Sequence, residues 1–104
     1  MNQKQFLKHI ETTFKNALEL IRRKNQDYSK TENAFANFEF ARLVGLDVSR
    51  AILLRVVDKI ARLSNLLDKD IAVVDESLQD TCIDVVNYMA ILMAYLDNEK
   101  QKGA

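Results

Sequence analysis

Asp75-Glu76-Ser77-Leu78-Gln79-Asp80-Thr81-Cys82-Ile83-Asp84-Val85-Val86-Asn87-Tyr88 runs without a break into Met89-Ala90-Ile91-Leu92-Met93-Ala94-Tyr95-Leu96. The stretch reads as one helix with two characters. Glu76, Asp80 and Asp84 recur every fourth residue, which stacks three carboxylates on one face. Like charges at that spacing repel by a few tenths of a kcal/mol per pair, so a cation should face them, either a basic partner helix or a metal ion. From Tyr88 to Leu96 the helix is apolar all round, which calls for burial against the chain or against a second copy.

The rest of the chain is read outward from that helix. The 104 residues make a single domain, 1–104, and 48% of them are apolar, enough for a core. Proline is absent and glycine occurs twice, a composition that favours helices. Fifteen basic and fifteen acidic residues cancel, which argues against a long nucleic acid as partner. Cys82 is the single cysteine, so no disulfide forms within the chain, and a cytoplasmic setting fits best. Its place within an apolar helix reads as a small core residue. The apolar run from 88 to 96 is far shorter than the ~20 residues a bilayer requires, and no membrane partner is expected.

Periodicity places three further helices. Phe6, Ile10, Phe14, Ala17 and Ile21, with Leu7 and Leu18 beside them, predict a helix from about Gln3 to Lys24. Arg22, Arg23 and Lys24 fall in its last turn, as a dipole cap or as a phosphate-binding cluster. Asn25 to Ala34 is rich in turn-forming residues and reads as a loop holding Asp27, Tyr28 and Lys30. Phe35 to Val44 reads as a short helix stopped by Gly45, with Asp47 or Ser49 capping the next. From Arg50 to Asp68, Leu53, Val56, Val57, Ile60, Leu63, Leu66 and Leu67 form a wide apolar face, with Arg55, Asp58, Lys59, Arg62 and Asn65 opposite. These charges are neighbours at three- and four-residue steps and could lace together as weak ion pairs. Lys69 to Val74 is a short connector and Asp75 the cap of the last helix, whose tail is polar from Asp97. The whole is an all-α, four-helix bundle-like domain of three long helices and one short, expected to form a homodimer or homotetramer.

The short connector sets the two long C-terminal helices antiparallel, so Asp58 could face Glu76, Asp80 and Asp84 across a groove. Such an oxygen-rich cluster suits Mg²⁺, and Arg55, Lys59, Arg62 and Lys24 could neutralise a phosphate chain. Asp84 and Asn87 sit among apolar neighbours and should be partly buried, which requires partners. Arg62 is the cation expected to reach Asp84 or Asp80.

The order Lys24-x-x-Asp27-Tyr28, Asn37-Phe38, Gly45, Arg55-x-x-Asp58-Lys59-x-x-Arg62-Leu63, Asp75-Glu76-Ser77-x-x-Asp80-Thr81-x-x-Asp84 and Asn87-Tyr88 resembles the nucleotide modification associated domain family of phages and prophages. The layout is also similar to the MazG-like all-α NTP pyrophosphohydrolases. The resemblance implies nucleotide chemistry in the cytoplasm, the host's if the chain is phage-encoded. As a Mg²⁺-dependent (d)NTP pyrophosphohydrolase or nucleotide-modification enzyme, the chain would use Asp58, Glu76, Asp80 and Asp84 as catalytic carboxylates, with Glu76, Asp80 and Asp84 as metal ligands. Lys24, Asp27, Tyr28, Asn37, Arg55, Lys59, Arg62, Asn87 and Tyr88 would bind substrate. The MazG-like Glu-Glu-x-x-Glu pattern is replaced here by Asp58-Lys59-Ile60-Ala61-Arg62, and the first acid of a Glu-x-x-Asp pair by Thr81. These changes remove carboxylates and add cations. They favour the alternative, a non-catalytic binder that sequesters a nucleotide or nucleotide-derived signal, whereas the surviving acids favour the enzyme. An assembly protein without a ligand is the third reading.

Overall fold

The computed structural model describes residues 1–28, 33–69 and 76–103, with the side chains of 25–28 and 76 outside the description. All regular structure among them is helical: α1 (Gln3–Tyr28), α2 (Ala36–Glu39) continued by a 3₁₀ turn (Phe40–Val44), α3 (Val48–Leu67) and α4 (Glu76–Lys102). The all-α expectation is met.

Local chemistry sets the ends. Asn2 caps α1: its side chain accepts from the Gln5 backbone N–H at 2.9 Å, and the Gln5 side chain accepts from Asn2 N–H at 2.9 Å. The helix then runs past Lys24 to Tyr28. Neither glycine nor proline interrupts 25–28, and a few polar residues alone do not end a helix. Arg22, Arg23 and Lys24 therefore lie before the last turn, and the reading of them as a terminal cap is corrected. The Phe40–Val44 segment tightens to 3₁₀ geometry and stops at Gly45, whose φ of 79° belongs to the left-handed region. Asp47 caps α3, accepting from the Arg50 backbone N–H at 2.8 Å, and α3 starts two residues earlier than its apolar pattern suggests. Helix α4 continues through the polar tail to Lys102. The connector 70–75, including the expected cap Asp75, and Lys30 lie outside the described residues.

The core is built where α3 crosses α4. Val48, Ile52 and Tyr95 are buried together, with Phe35, Phe38, Tyr88, Ile91 and Leu92 packed around them. The Phe35 and Tyr95 rings meet edge to face at 5.3 Å between centroids, and Phe38 meets Tyr88 likewise at 6.4 Å. Helix α1 docks on α4 with less of itself. Among the described residues Ala17 is its one buried apolar residue, and the Asn87 side-chain amide crosses from α4 to donate to the Ala17 carbonyl at 3.1 Å. Cys82 corrects the expectation of a core residue, while Met93 belongs to the stretch expected to be covered by the chain or by a second copy. Met93 is 72% exposed, and Cys82 is an exposed thiol. Both lie on the side of α4 turned away from Thr81, Asn87 and Tyr95.

Candidate functional site

Asp84 stands where three helices approach one another. It projects from α4 at the boundary between the polar and apolar halves of that helix, and its side chain is 21% exposed. Lys59 of α3 reaches Asp84 Oδ2 with Nζ at 3.1 Å, and Lys24 of α1 approaches Oδ1 at 3.8 Å. One carboxylate thus faces two ammonium groups from two different helices. Asn87 follows one turn later and is buried, its amide committed to Ala17. The partners required by Asp84 and Asn87 are present.

The cation at Asp84 is Lys59, not Arg62. Both belong to the same face of α3, but a helical side chain leans towards the N-terminus of its helix, and the offset between α3 and α4 sets Lys59 opposite the carboxylate. Arg62 is left facing solvent. Among the described residues, Arg55, Asp58 and Arg62 form no ion pair, although their three- and four-residue spacing permits it.

These residues line a groove of about 480 Å³ bounded by Arg55, Asp58, Lys59, Arg62, Asn65 and Tyr88. Three cations share it with one carboxylate. Asn65 adds an amide and Tyr88 an aromatic ring already braced by Phe38. Five of the six come from α3 at the spacing that gathers one helical face. Of the sequence candidates, Arg55, Asp58, Lys59, Arg62 and Tyr88 converge here, and Lys24 and Asp84 adjoin through Lys59. Asn37 is exposed on α2 and Asp80 is exposed on α4, and neither lines the groove. The side chains of Asp27, Tyr28 and Glu76 lie outside the description. Asn65 was not singled out as a ligand contact, although it sits three residues after Arg62 on the same face.

Of the three expected metal ligands, Asp80 and Asp84 are described and the side chain of Glu76 is not. Among the described residues no three Asp, Glu, His or Cys side chains converge. Both oxygens of Asp84 already face ammonium groups, and the carboxylates of Asp58 and Asp80 are exposed. Thr81 is 3% exposed and its hydroxyl donates to the Ser77 carbonyl at 2.6 Å, so a carboxylate in that place would be desolvated. A divalent cation here would compete with Lys59 and Lys24 for Asp84.

No family model, curated protein or solved structure matches the chain. Among the described residues, no helix is long and apolar enough to cross a membrane.

Proposed function

We propose that the groove on α3 binds a phosphate-bearing small molecule of nucleotide type and that the chain holds it without cleaving it. One observation carries the reading: Arg55 and Arg62 stand on a groove wall with no carboxylate partner among the described residues, flanking Lys59. Guanidinium groups in that position present paired donors to a phosphate, and each charge-assisted bond is stronger than a neutral one. Tyr88 supplies a ring against which a base can stack. The two ammonium groups on Asp84 favour holding over hydrolysis, because the acid best placed to take part in metal chemistry is occupied. In keeping with the resemblance, the chain would sequester a nucleotide or nucleotide-derived signal as a homodimer or homotetramer in the cytoplasm, that of a host if phage-encoded.

Calorimetry with nucleoside triphosphates, dinucleotides and cyclic nucleotides, with Mg²⁺ and with EDTA, tests this. Binding that survives EDTA, with the ligand recovered unmodified from the protein, is the expected result. Mg²⁺-dependent release of pyrophosphate would turn the assignment to the pyrophosphohydrolase reading. No heat with any ligand would leave the assembly reading.

A further inference from the structure

Asp58 is the carboxylate on the groove wall that carries Arg55, Lys59 and Arg62. Its spacing permits a pair with Arg55 three residues before it or with Arg62 four residues after it, and neither forms. Among the described residues it makes no ion pair and its side chain accepts no hydrogen bond. It is exposed, so its substitution opens no core. A groove that took any phosphate would hold it more tightly without a negative charge on the same wall.

Position on the helix sets Asp58 apart from the cations. Successive residues turn by ~100°, so Arg55 and Arg62 share one line, Lys59 lies to its α4 side, and Asp58 and Asn65 lie to its far side. Burial follows the same order. Lys59 is half-buried and reaches Asp84, whereas Arg55, Arg62, Asp58 and Asn65 are exposed. The groove therefore has a cationic middle and an outer rim made of a carboxylate and an amide. Along the axis Asp58 sits between the two arginines, about 4.5 Å from one and about 6 Å from the other at ~1.5 Å of rise per residue. An anion laid across both guanidinium groups has Asp58 at its flank.

We infer that Asp58 sets the specificity of the groove: it accepts a hydrogen bond from a neutral donor on the ligand, a sugar hydroxyl or a base amine, and it repels a bare phosphate chain. The inference rests on the groove taking a phosphate-bearing ligand. An ionised carboxylate only accepts, so it rewards O–H and N–H groups and penalises phosphate oxygens. Attraction of the right ligand and repulsion of the wrong one act through the same two oxygens. Tyr88 on the opposite wall distinguishes a ligand with a ring from one without, and Asp58 adds the demand for a donor. The groove volume of about 480 Å³ leaves room for more than the phosphates alone.

Calorimetry of the full chain with a ribonucleoside triphosphate and with methyl triphosphate, both in EDTA, tests this, because the two ligands carry the same charged chain. The unmodified protein is expected to prefer the nucleotide. In Asp58→Ala that preference should shrink by roughly tenfold, the loss of one charge-assisted bond, while methyl triphosphate itself binds more tightly. Asp58→Asn keeps an acceptor oxygen without the charge, so methyl triphosphate should gain as before and the preference should fall less. A gain in affinity is not produced by a damaged fold. A 2′,3′-dideoxynucleotide tells the donors apart: its preference is insensitive to Asp58→Ala where a sugar hydroxyl is the donor, and sensitive where a base amine is. A preference for the ribonucleotide that Asp58→Ala leaves unchanged overturns the inference, and so does methyl triphosphate binding that weakens in that variant. No heat from either ligand with the unmodified protein overturns instead the reading on which the inference rests, and the inference with it.

Discussion

Lys59 Nζ lies 3.1 Å from Asp84 Oδ2, joining α3 to α4 through a pair whose side chains are 30% and 21% exposed. Lys24 completes the triad from α1. The pair is wet enough for screening to reduce its strength, yet sheltered enough that an orphaned ammonium is costly. Asp84→Ala is therefore expected to destabilise the fold by about 1–3 kcal/mol, against less than about 0.5 kcal/mol for Ala at exposed Glu99. Thermal unfolding of the two variants checks this. Asp84→Asn has a second expected effect. It frees Lys59 for a bound anion, so phosphate affinity should rise, by on the order of tenfold, where a catalytic Asp84 would require activity to vanish.

Arg55 and Arg62 behave in the opposite way. Each is exposed and lacks an ion-pair partner among the described residues, so alanine at either should change stability by less than about 0.5 kcal/mol. Each should nevertheless lower nucleotide affinity by roughly tenfold or more, the loss of one charge-assisted contact. Calorimetry and thermal unfolding on the same preparations separate the two effects.

Gly45 ends the 3₁₀ turn at φ 79°, and a Cβ built there meets nothing within 4 Å. The cost of Gly45→Ala is therefore conformational alone, about 1–2 kcal/mol, measurable by chemical denaturation. Asparagine, which tolerates the left-handed region better, should recover part of it.

Among the described residues, Asp47 has a pH-dependent role. The Arg50 backbone N–H donating to its carboxylate, with the Arg50 guanidinium beside it, holds its pKa below the ordinary aspartate value. A depressed folded-state pKa gives stability that is present above the unfolded value and is lost as pH falls through the folded one. Asp47→Ala should thus lower stability near neutral pH and show a shallower loss on acidification below about pH 4, seen as converging melting curves.

The helical class was legible because apolar residues recur at three- and four-residue steps over most of the chain. Gly45 and Asp47 were legible because their chemistry is local: one permits a left-handed backbone, the other accepts from the amide three residues on. The end of α1 was not, since polar residues lower helix propensity without stopping a helix. The groove residues on α3 could be gathered from spacing alone. Which of them meets Asp84 could not, because that depends on the axial offset of two helices, which no local pattern contains. The exposed Cys82 was missed for a related reason: an apolar neighbourhood in the sequence records that cover is required, not which molecule provides it.

The way α1 is held has a kinetic corollary. Among the described residues, the 26-residue helix is held by the buried Ala17, the half-buried Thr13, Leu20 and Ile21, one hydrogen bond from the Asn87 amide and the longer of the two contacts to Asp84. It is the element that should detach first, and its amides should exchange with solvent faster than those of α3 around Ile52. Lys24 travels with it. The positive potential at the groove would then fluctuate with the docking of a remote helix, and ligand capture would favour the moments when α1 is home.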